Sequence, residues 1–245
     1  MEGPKTDVVR IAMWSGPRNL STALMRSWEN RPDTAVLDEP FYAYYLSRTG
    51  IDHPGKDAVL ASQDTDWRRV VERLTGPVPG NARILYQKHM THHLLPEVHR
   101  SRLAGLRHAF LIRHPREVLA SYARVRAQPT LDDLGFPQQS ELFGTFGGPV
   151  IDARDILTAP EPALKALCGE LGVPFCDRML SWPAGPRESD GVWGRYWYDS
   201  VWRSTGFAPY RPPTEPLPDR LLPLLENCMP FYEELVARRI TVDGT

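Results

Sequence analysis

Two rhythms of apolar and polar positions run along this chain. Val8–Trp14 (VVRIAMW) is an apolar run broken only by Arg10 and closed by Ser15-Gly16-Pro17. That pattern predicts a buried strand ending in a tight turn. Leu20–Asn30 then places Leu20, Ala23, Leu24 and Trp28 at helical spacing, with Asn19 set to cap the helix. Strand signals return at Thr34–Leu37, Ala82–Gln87, Arg107–Ile112 and, briefly, Val150–Ile151. Helical spacing returns at Trp67–Leu74, from Pro115 to about Val125, and at Pro162–Leu171 before Gly172. Pro115 suits a first helical position and Gly172 a helix end.

Strands alternating with helices predict an α/β fold, a mainly parallel sheet with helices on both faces. Such sheets bind ligands beyond the carboxyl ends of their strands. Three segments are expected there: Gly16–Thr22, Asp38-Glu39 and Arg113. No repeat or composition break divides the chain, so residues 1–245 are expected to form a single domain. Residues 126–149 and 181–218 are rich in Pro, Gly and aromatics with weak periodicity, and are expected to be ordered loops or lids held by Trp182, Trp193, Trp197 and Trp202.

Composition narrows the function classes. A hydrophobic share of 42% and a charged share of 24% are ordinary for a globular chain. The net charge of −1 offers no global pull toward nucleic acid or anionic membrane, so any anion site must be local. The three cysteines have no metal-ligand or CxxC spacing. The polar start and the lack of a membrane-length apolar run make the cytoplasm the expected compartment, with no membrane span.

Gly16-Pro17-Arg18-Asn19-Leu20-Ser21-Thr22 joins the first strand to the first helix. Backbone N–H groups at a helix start, hydroxyls and a cation together can cradle a phosphate or sulfate. No Lys precedes Ser21, so this is not the GxxxxGK[ST] loop of nucleoside triphosphatases; Arg18 stands early in the loop instead. An ordinary capped turn with a surface Arg would also explain it.

Pro17-Arg18-Asn19-Leu20-Ser21-Thr22 resembles the 5′-phosphosulfate loop P-[KR]-S-G-[ST]-T of the nucleotide-dependent sulfotransferases, departing from it at Asn19 and Leu20. Leu111–Tyr122 (LIRHPREVLASY) is similar to that family's 3′-phosphate segment, in which Arg113 and Ser121 would hold the phosphate. Arg187-Glu188-Ser189-Asp190-Gly191-Val192-Trp193 resembles the late loop closing over the same phosphate, matching at Arg187, Gly191 and Trp193. The resemblance covers most of the chain and is thinnest over residues 40–80. It implies a P-loop nucleoside triphosphate hydrolase-like sulfotransferase fold. It also implies 3′-phosphoadenosine 5′-phosphosulfate as co-substrate, no metal, and a small-molecule acceptor.

Under the same resemblance Arg18 would stabilise the leaving phosphate. Glu39, in Asp38-Glu39-Pro40, matches the Glu-Pro segment that supplies the proposed base in bacterial carbohydrate-type members. The rival base lies in Gln87-Lys88-His89-Met90-Thr91-His92-His93, where aryl-type members carry K-x-H. Lys88 would contact the sulfate, and His89, with His92 beside it, would substitute for the histidine that Met90 replaces. Asp38 and Glu39 could equally cap a helix after Pro40. Tyr42, Tyr44 and Tyr45, like Trp197, Tyr198 and Trp202, are either acceptor-pocket or core aromatics. Two other readings remain open: a kinase of related fold using ATP, or a noncatalytic nucleotide- or sulfate-binding module.

Overall fold

The computed structural model describes residues 8–80, 82–123 and 128–242. Strands β1 (Val9–Ser15), β2 (Thr34–Asp38), β3 (Ile84–Met90), β4 (Arg107–Ile112) and β5 (Val150–Asp152) form one parallel sheet in the order β2-β3-β1-β4-β5. The early helices are α1 (Ser21–Glu29), α2 (Tyr42–Thr49), α3 (Lys56–Ser62), α4 (Trp67–Thr75), α5 (Pro115–Tyr122) and α6 (Leu131–Leu134). The later ones are α7 (Phe136–Phe146), α8 (Ala153–Thr158), α9 (Pro160–Glu170), α10 (Gly194–Trp197), α11 (Asp199–Trp202) and α12 (Leu222–Val236).

The apolar run of β1 is buried on both faces, as a central parallel strand requires. Ile11 and Met13 point into one core with Leu24 and Trp28 of α1 and Leu164 and Leu167 of α9. Ala12 and Trp14 point into the other, with Val70 and Leu74 of α4, Leu142 of α7 and Leu235 of α12. The predicted strands and the helices at α1, α4, α5 and α9 are all present. The expected extension of α5 to Val125 lies outside the described residues.

Where residues 126–149 were expected to be loop, α6 and α7 occupy most of the described part. The inward position of α7 is taken by a polar residue. Gln139 is 1% exposed and donates to the carbonyls of Leu111 (2.9 Å) and Trp14 (3.3 Å), so the apolar spacing is interrupted where the helix faces the sheet. In α12, Pro230 interrupts the helical pattern in the same way. Residues 181–218 are long ordered loops carrying only short helices, with Trp182 and Trp193 buried.

From β1 the chain crosses by α1 to the β2 side of the sheet, and from β4 it leaves toward β5. The carboxyl ends of β1 and β4 therefore flank the switch point, where a crevice opens. No helix among the described residues is long and apolar enough to cross a membrane.

Candidate active site

The loop after β1 meets the start of α5 at that crevice. Arg113 leaves the end of β4 and donates through Nη1 to the carbonyl of Arg18 (3.0 Å) and through Nε to Glu117 Oε2 (2.8 Å). Glu117 is fixed in turn by the hydroxyl of Tyr210 (2.9 Å). Arg18 Nε donates to Ser121 Oγ (2.9 Å), two turns into α5. His114 caps α5, so Pro115 begins the helix as expected and carries Ser121 back over the loop. Arg18, Arg113 and Ser121 thus share one corner of a cavity of about 450 Å³, together with Pro17, Asn19, Leu20, Ser21 and Thr22. Gly16 lies just behind them, where a Cβ would collide with the Leu134 carbonyl.

The loop is strained at the two positions flanking Asn19. Arg18 (φ 62°) and Leu20 (φ 71°) both adopt the left-handed conformation, which costs a non-glycine residue roughly 1–2 kcal/mol. Leu20, not Asn19, precedes the first turn of α1, and no side chain caps it. Asn19 is turned inward instead, 1% exposed, with Nδ2 on the Leu111 carbonyl (3.3 Å). Its expected role as a cap is therefore corrected.

A second cluster lies beside the loop. Lys88 of β3 is 1% exposed and donates to Asp38 Oδ1 (2.9 Å), Glu39 Oε1 (2.5 Å) and the Tyr198 hydroxyl (2.7 Å). Burial alone would pull the ammonium down, but the Asp38 and Glu39 carboxylates outweigh it and hold Lys88 above its usual value. Burial raises the Glu39 carboxyl; Lys88 opposes the rise and Asp38 adds to it. Neither acid caps α2, whose start has no side-chain cap. Glu39 sits at φ 40°, a third left-handed residue at the same cavity. Such strain concentrates at functional sites.

Much of the remaining cavity wall is aromatic and imidazole. His93 stacks on Tyr42 (4.6 Å between rings) and on Tyr45 (4.7 Å), and its Nδ1 lies 3.9 Å from Glu39 Oε2. The Tyr42 hydroxyl bonds His53 Nδ1 (2.8 Å). Met90, His92, Trp197 and Tyr198 also line the cavity, whereas Tyr44 is a core residue. Burial pushes His92 down to about 4.

His89 is not at the cavity, and its expected role as a base is corrected. Side chains along β3 alternate, so His89 faces away from Lys88 and stacks on Trp14 (4.3 Å between centroids). It is 1% exposed, bonds Gln87 Oε1 (3.1 Å), and burial pushes it down to about 3.

Arg187, Gly191 and Trp193 also do not line the cavity. Gly191 and Trp193 support it from behind. The Gly191 N–H donates to Asp38 Oδ2 (3.1 Å) and Trp193 Nε1 to the Tyr198 hydroxyl (3.0 Å). A Cβ on Gly191 would strike the Trp193 ring. Arg187 is half-buried, and among the described contacts its side chain bonds only the Pro183 carbonyl (3.3 Å). The loop is docked on α1 through Asp190, which pairs with buried Arg26.

Sequence reasoning singled out Lys88, Glu39 and the arginines; it left Tyr198 undecided and did not reach His53 or the anchoring role of Asp38. Only the tyrosine-rich run and the polar residues at strand ends hinted at them. Among the described residues no group of His, Cys, Asp and Glu could hold a metal.

Comparison with known proteins adds to this geometry. The profile of the family described as "Sulfotransferase domain" matches residues 9–239. Two Arabidopsis thaliana proteins, "Branched-chain-amino-acid aminotransferase-like protein" 2 and 1, are 35% and 37% identical over 230 residues. These matches cover 92% of this chain but 41% of theirs, so the chain spans about two fifths of the curated relatives it matches. Among solved structures, the sulfotransferase domain of the Synechococcus PCC 7002 olefin synthase covers 92% of this chain and 97% of its own (TM-score 0.53, 17% identity). A sulfotransferase from Alicyclobacillus acidocaldarius covers 94% and 96% (TM-score 0.57, 12% identity). At such identities these structures speak to the fold alone.

Proposed function

The chain belongs to the sulfotransferase-domain family, and from that premise we propose that it moves the sulfuryl group of 3′-phosphoadenosine 5′-phosphosulfate to a hydroxyl or amine of a small-molecule acceptor. The observation that carries this reading is the joining of two cationic segments distant in sequence. Arg113 is bonded to the Arg18 backbone, and Arg18 to Ser121, in the wall of one cavity. In this reading Arg113 and Ser121 hold the 3′-phosphate, while Arg18 and the N–H groups opening α1 hold the 5′-phosphosulfate.

Sulfuryl transfer, like phosphoryl transfer, is an in-line displacement in which positioning and charge stabilisation provide most of the acceleration. The acceptor oxygen forms a bond to sulfur as the bond from sulfur to the 5′-phosphate oxygen breaks. The leaving phosphate keeps the electron pair and is stabilised by Arg18. Lys88 faces the charge on the sulfuryl oxygens. The acceptor's proton passes to Glu39, which lines the cavity beside Lys88 and whose burial-raised carboxyl suits a base. His92 and His93 line the acceptor side as neutral rings. The plant relatives' names refer to amino-group transfer, in chains more than twice as long as this one.

The test is transfer of radiolabelled sulfate from the phosphosulfate to a panel of phenols, alcohols, sugars and amines. Glu39→Gln should lower turnover about a hundredfold or more, the range of general-base catalysis, while leaving bisphosphate affinity nearly intact. An unchanged rate excludes Glu39 as base. Phosphoryl transfer from ATP with magnesium would replace this reading by a kinase.

A further inference from the structure

All three N–H groups of the Lys88 ammonium are engaged by the protein itself, by Asp38, Glu39 and Tyr198. To donate to a sulfuryl oxygen it must release one of them. The three acceptors differ in how firmly they are held. A phenol hydroxyl has one proton and two lone pairs. On Tyr198, Lys88 and Trp193 donate to the lone pairs, and the proton goes to Asp38 (2.7 Å to Oδ2, 2.9 Å to Oδ1). Asp38 also accepts the Gly191 N–H. Asp38, Tyr198 and Trp193 are all buried and hydrogen-bonded to one another in a chain.

Glu39 is held less firmly: the Tyr198 hydroxyl, whose proton points to Asp38, lies 3.4 Å from the Glu39 Oε1. Its Oε2 stands 3.9 Å from His93 Nδ1, beyond hydrogen-bond range, and its side chain is the more exposed of the two acids (11% against 2% for Asp38). Its carboxylate lines the cavity, on a backbone held in a left-handed conformation. The groups facing it are Asp38 from β2, Lys88 from β3, His93 from the turn after β3, Tyr42 from α2 and Tyr198 between α10 and α11.

We propose that Asp38 and Tyr198 are positioning residues that hold Lys88 so that, when it turns an N–H to the donor's sulfuryl oxygen, the contact released is the one to Glu39. Glu39 then loses its counter-cation while remaining beside the Asp38 charge, and becomes a stronger base. The base is thus strengthened only when a sulfuryl group is in place. Adenosine 3′,5′-bisphosphate, which lacks that group, leaves the Lys88–Glu39 pair intact. This inference rests on the sulfuryl-transfer reading above.

The experiment follows the Glu39 carboxyl by carbon-13 NMR in glutamate-labelled protein, its signal assigned by its loss in Glu39→Gln. With the phosphosulfate bound, Glu39 should titrate about one pH unit higher than with the bisphosphate bound, the size of one lost charge contact. Equal titration with both nucleotides overturns the inference. In the bisphosphate complex, Tyr198→Phe should move Glu39 upward, because the 3.4 Å hydroxyl contact that favours its ionised form is lost. Asp38→Asn should move it downward, because a repelling charge is removed and Lys88 is left to Glu39. A purely structural role would not shift the two variants in opposite directions, and shifts of the same sign count against the proposal. Should either variant fail to fold, the two-nucleotide comparison on the unaltered chain decides alone. If neither nucleotide binds the unaltered chain, the transfer reading itself fails; if both bind and Glu39 does not respond, only this inference does.

Discussion

Replacing Arg26 tests how the late loop is fastened over the site. Arg26 is 1% exposed in α1, where it pairs with Asp190 and with Glu29 (3.0 Å). Asp190 also accepts the Arg187 N–H (2.9 Å) and the Trp202 indole N–H (2.9 Å). Arg26→Met keeps the length of the side chain but leaves a nearly buried carboxylate without its cation. Breaking a buried pair in this way costs about 3–5 kcal/mol. The two neutral donors that remain place the expected cost near the lower end, about 3 kcal/mol. For a chain of this size each kcal/mol moves the melting temperature by roughly 2–4 °C, so Arg26→Met should melt about 6–12 °C lower. The assay is thermal and urea unfolding of Arg26→Met, Asp190→Asn and the double variant. The double variant should recover about 1 kcal/mol or more of the summed losses, because each single change strands the other partner. A melting temperature within about 2 °C of the unaltered chain, with additive single changes, would refute the clamp.

Other consequences follow from single positions. Leu20→Gly should leave stability within about 1 kcal/mol of the parent, because relief of left-handed strain offsets lost packing; Leu20→Val, β-branched at φ 71°, should be less stable than Leu20→Gly by about 1 kcal/mol or more in urea unfolding. Equal stability of the two would contradict the left-handed backbone. His89, whose buried ring is pushed from 6.5 to about 3, is neutral in the fold and takes up a proton on unfolding. The His89 contribution to stability should therefore fall as pH drops through the window from 6.5 to 3, by roughly 1–2 kcal/mol between pH 6.5 and 5. His89→Gln should flatten that slope, measured by urea unfolding across pH, without moving the pH profile of transfer; a moved profile would return His89 to the chemistry.

The sheet was legible because a central parallel strand buried on both faces writes a continuous apolar run, as β1 does with Ile11 to Trp14. Helices were legible where apolar spacing was unbroken, in α1, α4 and α9, and hidden where a polar or proline residue interrupts it, as Gln139 does in α7 and Pro230 in α12. The cation cluster could be read from local patterns because Arg18 and Arg113 stand at strand ends that any parallel topology brings to one edge. The anchoring of Lys88 by Asp38, Tyr198 and Trp193 could not. Tyr198 lies 110 residues from Lys88 in a loop without periodicity, and only the fold puts its hydroxyl there. Strand alternation alone could have removed His89 from the candidates, since it follows Lys88 directly and must face the opposite side.

The account depends on Arg18 and Arg113 gripping one doubly phosphorylated adenosine, and calorimetric titration with adenosine 3′,5′-bisphosphate tests this most directly. Binding should occur without added metal and weaken about 10- to 100-fold in Arg113→Ala, the worth of one or two charge-assisted hydrogen bonds. Equal affinity in Arg113→Ala, or binding of ATP with magnesium in preference to the bisphosphate, would contradict it.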